Sequence, residues 1–231
     1  FNFAGDFREK VIRRFAESYE AGCTPNPCID CNRFMKFDRL FERAKILGCD
    51  HVATGHYARI EEEHGKFVLK KALDPAKDQS YVLYTMTQEQ LAHTLFPLGG
   101  YSKPEARRLA EDGGLVNAEK PDSQDICFAP DGDYAAAIER YTGKAPEPGN
   151  FVDADGRVLG RHAGIIHYTL GQHRGLGLGQ DQRLYVCKIC PADNTVVLGP
   201  SEALFRRDAS AADVNWIAGQ APDGPIRCRV K

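Results

Sequence analysis

The pattern that most restricts the fold is an amphipathic helix that leads directly into a short apolar strand and a glycine. Residues 33–47 carry their apolar side chains on one helical face, and Gly48 follows as a helix stop. The segment 51–54 then has the pattern of a buried strand that breaks at Gly55. Helix, strand and polar turn in this order are typical of an α/β fold, in which ligands gather beyond the carboxyl ends of the strands. The sequence therefore predicts an α/β domain with the motif TGHY, residues 54–57, at its ligand-binding edge.

The pattern changes near residue 145. Residues 143–160 are rich in proline and glycine, and strand and turn patterns dominate after them, with Asp155-Gly156 as a hairpin turn. The sequence therefore predicts an α/β part over residues 1–145 that is followed by a β-rich part.

Composition restricts the class of protein. The chain has 231 residues, of which 42% are hydrophobic and 27% charged, with a net charge of -2, as in a globular protein of one or two domains. Any bound nucleic acid would therefore have to meet a local basic patch. The sequence has no long apolar run and no apolar core of a secretory signal, so we expect no membrane association and a cytoplasmic location. In a reducing cytosol, grouped cysteines are more often catalytic or metal-binding than structural.

Two cysteines, Cys28 and Cys31, stand three apart in the loop TPNPCIDCN. A zinc site is one interpretation, because Cys187 and Cys190 form a second such pair, although the gap between the pairs is far longer than in a zinc knuckle. A thioredoxin-like dithiol is another, but it normally opens a helix directly after a strand. A catalytic thiol fits better, because a cysteine at a helix N-terminus gains thiolate character, and we expect Cys31 to lie there. Two incidental loop cysteines are the plain alternative.

Three further segments carry reactive or polar residues. Cys127 lies in the loop KPDSQDICF, His56 in the motif TGHY, and Lys77–Gln79 in a charged turn. Each has an ordinary structural alternative, namely a small buried hydrophobe, a capping histidine and a solvated turn. The segment GQHRGLGLG, residues 171–179, has glycine spacing loosely like a nucleotide loop but lacks the strand-then-helix context.

Taken in order, five segments closely resemble the tRNA-specific 2-thiouridylases, the bacterial enzymes that thiolate the wobble uridine of certain tRNAs. The segments are TPNPCIDCNRFMKF, HVATGHYARI, KDQSYVLY, LFPLGGYSKPEARRLAEDGGLVNAEKPDSQDICF and HYTLGQHRGLGLG. The resemblance runs over nearly the whole chain. It implies an α/β, adenine-nucleotide α-hydrolase-like domain (PP-loop, Rossmann-like) over residues 1–145. A small β-rich central domain over residues 146–205 and the start of a C-terminal β-barrel over residues 206–231 would follow.

The resemblance also implies the reaction. Enzymes of this family use ATP and Mg²⁺ to adenylate the 2-carbonyl oxygen of uridine, and a persulfide sulfur then displaces AMP. Cys31 matches the nucleophile of the family's CN motif, and Cys127 matches the persulfide carrier of its ICF motif. The implied partners are a tRNA with a modifiable wobble uridine and an upstream persulfide donor, which is a cysteine desulfurase or a relay protein.

Binding residues carry over from the same motifs. The segment that meets the target base corresponds to Asn26, Pro27 and Cys28. An ATP contact corresponds to Gly55, and tRNA contacts correspond to His56, Lys77, Asp78 and Gln79.

The chain departs from the family pattern in three places. The Ser-Gly-Gly-x-Asp-Ser phosphate loop does not occur in the sequence, and we expect it upstream of Phe1. The Arg-Tyr pair that family members use on tRNA would lie beyond Lys231. Many members have aspartate where Cys28 stands, so a carboxylate role is not carried over to this residue.

Cys28 also opens an alternative mechanism. Cys28, Cys31 and Cys127 together would supply three ligands to a [4Fe–4S] cluster with one open iron for sulfide, an arrangement that related tRNA thiolases use. An alternative of another class is a non-catalytic RNA- or zinc-binding module.

Overall fold

The computed structural model describes residues 1–120, 125–179 and 183–230. The helices in these ranges are α1 (Ala4–Phe7), α2 (Arg13–Glu20), α3 (Pro27–Asp30), α4 (Leu40–Ile46), α5 (Gln88–Ala92), α6 (Lys103–Asp112) and α7 (Tyr134–Thr142). Two π-helical stretches, Arg8–Ile12 and Cys31–Arg39, connect α1 to α2 and α3 to α4. The strands are β1 (Val52–Ala53), β2 (Ala58–Glu63), β3 (Lys66–Lys71), β4 (Thr94–Leu95), β5 (Gly149–Val152), β6 (Val158–His162), β7 (Tyr185–Cys190) and β8 (Thr195–Gly199). Short 3₁₀ turns cover Ser80–Val82, Ile165–His167, Pro191–Asp193 and Ser201–Leu204.

The chain divides into two compact units. The first unit comprises Phe1–Phe3, Cys28–Ser123 and Ala212–Lys231, and the second comprises Ala4–Pro27 and Gln124–Ala211. Both units combine helices with strands, as the predicted α/β class requires. The predicted domain boundaries after residues 145 and 205 stay predictions.

A short parallel pair of strands organises the first unit. Strand β1 pairs with β4 in the register Val52 to Thr94 and Ala53 to Leu95. The predicted strand over residues 51–54 is thereby confirmed in its central two residues. Gly48, at φ +70°, reverses the chain between α4 and β1, since a left-handed conformation is accessible to glycine without strain.

An antiparallel hairpin follows β1 in the first unit. Strands β2 and β3 pair along their whole length, from Ala58 opposite Lys71 to Glu63 opposite Lys66. The turn residues His64 and Gly65 both have positive φ angles, +52° and +73°. Two such residues match the twist of the flanking strands and hold this register.

The core of the first unit is a cluster of fully buried side chains. Its members come from the π-helical stretch, the hairpin and the segment 82–91, and they are Phe37, Ala58, Val82, Leu83, Met86 and Leu91. Helices α5 and α6 begin with capping boxes, at Thr87 with Gln90 and at Ser102 with Glu105. The Glu105 carboxylate accepts from the Ser102 amide at 2.8 Å and from its hydroxyl at 2.7 Å. The segment SKPEARRLAEDGG predicts a helix with Ser102 as its N-cap and Gly113 and Gly114 at its end, and α6 confirms it.

Residues 212–219 close over the first unit without forming a strand. The Asn215 side-chain amide donates to the carbonyls of Tyr84 at 2.7 Å and Met86 at 3.0 Å, and Ile217 packs against the core. The sequence predicts strands here, but residues 205–230 contain only turns and extended segments. The Tyr84 and Met86 carbonyls are thus bonded by a side-chain amide and not by the backbone of a strand. The C-terminal barrel over residues 206–231 stays a prediction.

The second unit has a helical cluster and a four-stranded sheet. Phe15, Ala16 and Tyr19 of α2 pack against α7 and the 3₁₀ turn at Ile166. The sheet order is β6-β5-β8-β7, with β5 and β8 parallel and the other pairs antiparallel. The buried side chains of the sheet are Phe151, Val186, Val196 and Leu198, and Tyr168 and Leu176 from the segment between β6 and β7 pack with them. Gly156, at φ +83°, forms the predicted turn between β5 and β6, so that hairpin is confirmed.

No helix within residues 1–120, 125–179 and 183–230 is long and apolar enough to cross a membrane.

Gly99→Ala should destabilise the first unit, whereas Gly100→Ala should not. A Cβ atom at Gly99 would lie 1.8 Å from the Ala58 carbonyl oxygen, which is backbone and has little freedom to move. A Cβ at Gly100 would meet nothing within 4 Å. We expect a loss of about 2–3 kcal/mol for Gly99→Ala, measured as a lower midpoint of thermal or urea unfolding. Equal midpoints for the two variants would contradict the close approach of residue 99 to β2.

Candidate functional site

The motif TGHY lies at the carboxyl end of β1, where the sequence predicts it. Thr54, directly after β1, donates its amide to the Leu95 carbonyl at 3.1 Å and so continues the parallel ladder by one residue. Gly55 follows in an open position, because a Cβ there would meet only a methyl of Leu98 at 3.7 Å. This edge is the place at which α/β sheets receive ligands.

The His56 side chain is buried between two aromatic rings. It is 7% exposed, and its ring centroid lies 6.0 Å from that of Phe37 and 5.7 Å from that of Phe96. Desolvation, with a smaller contribution from the nearby Lys36 charge, lowers the pKa of His56 to about 4. The imidazole is therefore neutral at physiological pH.

Both ring nitrogens of His56 have a partner. The Lys36 ammonium lies 3.5 Å from Nε2, and the Thr54 hydroxyl lies 2.8 Å from Nδ1. Because an ammonium group only donates, Nε2 must accept, and the single proton of the neutral ring is on Nδ1, which donates to Thr54 Oγ1. The chain Thr54–His56–Lys36 thus fixes the direction of the lysine side chain from the end of β1. Because the His56 side chain is buried, it differs from an ordinary exposed capping histidine.

Asp78 and Gln79 hold the predicted tRNA-contacting segment in shape. The buried Asp78 carboxylate accepts from the Ala72 amide at 3.1 Å and from the Ser80 hydroxyl at 2.9 Å. The Gln79 side-chain oxygen accepts from the Tyr57 amide at 3.0 Å, and the Gln79 backbone amide donates to the Tyr57 carbonyl at 2.9 Å. The segment 77–79 is thereby tied to the residue that follows His56.

The helix that carries Cys28 and Cys31 begins earlier than the sequence predicts. Pro27 is the first residue of α3, so Cys28 lies in the first turn. Cys31 is the fifth helical residue and the first of the π-helical stretch. The prediction that Cys31 lies at the helix N-terminus is therefore wrong, because Pro27 initiates the helix with a φ angle already suited to it. Cys28 is exposed and Cys31 half-buried.

The residues around this helix start differ sharply in exposure. Asn26 is exposed and Pro27 is buried. Asn32 is 2% exposed, with its amide nitrogen donating to the Val82 carbonyl at 3.2 Å. Its side-chain oxygen has no partner among the described residues, which is costly for a buried acceptor.

Cys127 lies in the second unit as an exposed residue between two anchored neighbours. Ile126 and Phe128 pack against the helical cluster, and the Phe128 ring lies edge-on to Phe15 at 5.2 Å between centroids. Residues 121–124 of the same motif lie outside the described residues. Because Cys31 belongs to the first unit and Cys127 to the second, the approach of the two thiols stays a prediction.

The described parts of the chain contain no group of three or more His, Cys, Asp or Glu side chains that could hold a metal ion. Cys187 and Cys190 lie in β7, as the strand pattern predicts, and burial raises the pKa of the Cys187 thiol. Its Sγ contacts the Tyr185 carbonyl at 3.3 Å. This pair behaves as ordinary strand cysteines.

Lys36 is a member of this site that the sequence did not predict, and the contact of the Thr54 hydroxyl with His56 was not predicted either. Lys36 lies inside the segment CNRFMKF, yet no local pattern connects it to His56, which is 20 residues further along the chain. The only available signal was that both residues lie in segments that border the predicted ligand-binding edge.

Comparison with known proteins gives matches over both parts of the chain. Residues 1–131 match the family model described as tRNA methyl transferase HUP domain, and residues 136–200 match that described as tRNA methyl transferase PRC-barrel domain. The predicted fold class, a Rossmann-like α/β domain followed by a β-rich domain, is thereby confirmed.

Curated relatives match at high identity. The chain is 47% identical over 232 residues to the tRNA-specific 2-thiouridylase MnmA of Clostridioides difficile, which covers 100% of this chain and 64% of that protein. It is 49% identical over 216 residues to the protein of that name from Clostridium acetobutylicum, and 50% over 218 residues to that from Lachnoclostridium phytofermentans. Each of these two matches covers 94% of this chain and 61% of the relative. The chain thus spans less than two thirds of the length of these relatives.

His56 should stay neutral well below pH 6. Its folded pKa of about 4 lies below the unfolded value of 6.5, so the unfolded state binds more protons between these two pH values. Stability is then lost as the pH falls through this window, by about 3 kcal/mol at most. The checks are the NMR titration of the His56 ring and the pH dependence of unfolding in His56→Gln, which should be shallower there than in the wild type. A ring that titrates near pH 6.5 would contradict the burial of this residue.

Proposed function

Because this chain belongs to the family of the tRNA-specific 2-thiouridylases, we propose that the full-length protein is an ATP-dependent tRNA-uridine 2-sulfurtransferase acting on the wobble uridine. The observation that carries the proposal is the 47% identity that runs over the whole chain, through both the HUP and the PRC-barrel part. The motifs CN and ICF each contain a thiol, Cys31 and Cys127. These two thiols favour sulfur transfer over the methyl transfer that the family description names.

Cys127 is proposed as the carrier of the persulfide and Cys31 as the second thiol. The terminal sulfur of the Cys127 persulfide attacks C2 of the activated uracil, and AMP leaves with the former carbonyl oxygen. The Cys31 thiolate then attacks the Cys127 sulfur, which closes a Cys31–Cys127 disulfide and leaves the transferred sulfur on C2 as the thiocarbonyl. In a second order of events, the Cys31 thiolate first attacks the Cys127 sulfur of the persulfide. This closes the disulfide and frees hydrosulfide, which then attacks C2 of the activated uracil. An external thiol reductant reopens the disulfide in either case.

The exposure of the cysteines supports this assignment. A carrier must meet an upstream donor, a cysteine desulfurase or relay protein, and Cys127 is exposed between two anchored residues. Cys31 is half-buried at the start of a π-helical stretch. Such stretches interrupt the regular helix and are frequent at functional sites.

ATP is proposed to bind at the edge beside Gly55, where a Cβ atom would be in ordinary van der Waals contact with a Leu98 methyl at 3.7 Å, so that the backbone is open to the approach of a ligand. ATP with Mg²⁺ would supply the adenylyl group that turns the uracil oxygen into a leaving group. The pyrophosphate loop of the family does not occur among the 231 residues, so this chain's own contribution is the Gly55 edge.

The tRNA is proposed to meet two segments of the chain. Asn26 and Cys28 are exposed on either side of the buried Pro27, which suits contact with a splayed-out base. In the second segment Lys77 is the cationic residue, and its charge suits a phosphate of the tRNA. His56 is too deeply buried for a broad contact and is proposed to act by positioning Lys36. A cytoplasmic location is part of the same proposal.

Cys127→Ser in the full-length protein should abolish 2-thiouridine, by at least about a hundredfold, because the persulfide has no sulfur to form on. Cys31→Ser should do the same, while Cys49→Ser, an exposed cysteine outside the motifs, serves as the control. The measurement is mass spectrometry of tRNA nucleosides from cells that carry only the variant gene. Binding of tRNA and the release of pyrophosphate from ATP, which precede the attack of sulfur, should persist in all three variants. Normal thiouridine in Cys127→Ser would place the sulfur on another path.

Cys28→Asp separates the persulfide mechanism from the [4Fe–4S] alternative. The persulfide route does not use the Cys28 thiol, so 2-thiouridine should stay within about threefold of the wild type. A cluster held by Cys28, Cys31 and Cys127 would lose one of its thiolate ligands and most of its activity. Iron and acid-labile sulfide are measured in anaerobically purified protein as the second readout. Stoichiometric iron together with inactive Cys28→Asp would overturn the persulfide route.

A further inference from the structure

Lys36 is a half-buried cation that lacks a counter-ion among the residues that the structure describes. No carboxylate there lies within the 4.0 Å of an ion pair, and the only recorded partner of its ammonium is the neutral His56 ring at 3.5 Å. Burying a charge without an opposite charge is costly, and proteins normally avoid it. An ammonium has three donors, of which this contact engages one.

The surroundings of Lys36 direct this charge toward the ligand-binding edge. His56 holds it from the end of β1, one residue after Gly55, and Thr54 fixes the ring through Nδ1. Gly55 is open on the same edge. The lysine itself projects from the π-helical stretch that begins at Cys31.

We propose that Lys36 binds a phosphate group of the substrates, held in place by the Thr54–His56 pair. The inference rests on the proposed function, because it takes the two phosphate-bearing substrates, ATP and tRNA, from it. A phosphate is the chemical class that fits, since lysine binds it as a point charge and a polyanion supplies the missing counter-charge. Lys36 is thus a binding residue, and Thr54 and His56 are positioning residues.

A neutral His56 is essential to this arrangement. A protonated ring would repel the ammonium and would have no lone pair to offer Nζ. The buried, neutral ring therefore orients Lys36 without neutralising it, which leaves the full positive charge for the phosphate.

The test is Lys36→Gln in the full-length protein, with Lys71→Gln as the charge-matched control. Glutamine keeps an N–H donor for His56 and removes the charge, so the fold should be kept, and the thermal midpoint should not fall. Lys71 is an exposed lysine of the same unit at the end of β3. The probes are AMP and pyrophosphate, measured by titration calorimetry, and unmodified tRNA, measured by filter binding at several salt concentrations.

Loss of a charge-assisted bond should weaken phosphate binding about ten- to hundredfold relative to Lys71→Gln. Weaker AMP or pyrophosphate binding with unchanged tRNA binding assigns the phosphate to the nucleotide. Weaker tRNA binding, with the slope of log K against log salt reduced by about one, assigns it to the tRNA backbone. Lys36→Arg should retain most of the affinity in either case.

Two results would overturn the inference. The first is wild-type affinity of Lys36→Gln for all three probes in an enzyme that still thiolates tRNA, which would remove the phosphate role and leave the proposed function intact. The second is a lower thermal midpoint with unchanged binding, which would make Lys36 a structural partner of His56 only. A wild-type protein that binds neither nucleotide nor tRNA would instead remove the proposed function and this inference together.

Discussion

The parallel pairing of β1 with β4 is the constraint on which the candidate site depends. Parallel strands end at the same edge, so the residues that follow them, His56 after β1 and Phe96 after β4, meet with ring centroids 5.7 Å apart. A shift of one residue in this register would turn the side chains of β1 to the other face and displace the residues that follow it. The pair is only two residues long on each strand, and the Thr54 amide adds one more bond to it. Its stability must therefore come from the packed side chains around it, not from the ladder itself.

The π-helical stretch Cys31–Arg39 completes this site from the other side. Two consecutive residues of the stretch, Lys36 and Phe37, both lie against the His56 ring, the first through Nζ and the second through its ring. The His56 ring is therefore enclosed by one cationic and two aromatic side chains, which explains its low pKa. The same enclosure keeps the ring in one orientation and one tautomer. A helical element thus contributes charge and shape to an edge that the strands define.

Features set by short-range physical chemistry were predictable from the sequence. The helix with Ser102 as its N-cap and the Asp155-Gly156 turn are predicted from neighbouring residues, and both occur in the structure. The position of TGHY at a strand end followed from the change of helix pattern to apolar strand. The start of helix α3 at Pro27 differs from the predicted start, although a proline at the first helical position is itself a start signal.

Contacts between distant segments were not predictable in the same way. The bond from Lys36 to His56 spans 20 residues, and that from Asn215 to Tyr84 spans 131. Polarity alone presents Asp78 as a solvated turn residue, whereas its carboxylate is buried and organises the backbone from Ala72 to Ser80. Such roles depend on which amides are left without partners after the chain has folded, and a single sequence does not contain that information.

The exposure of the cysteines limits how sulfur can move in the proposed reaction. A persulfide carrier has to be reached by a donor and then present its terminal sulfur to a base, so it must be accessible while its backbone stays fixed. Cys127 meets both conditions, because it is exposed while the partly buried Ile126 and Phe128 on either side pack against the helical cluster of the second unit. Cys31 is half-buried, which suits a thiol that reacts only after the carrier has arrived and that should not meet external oxidants beforehand. In an ordered transfer, Cys127 accepts the sulfur first and Cys31 reacts with it second. Such an order requires the first thiol to be more accessible than the second, as these two thiols are.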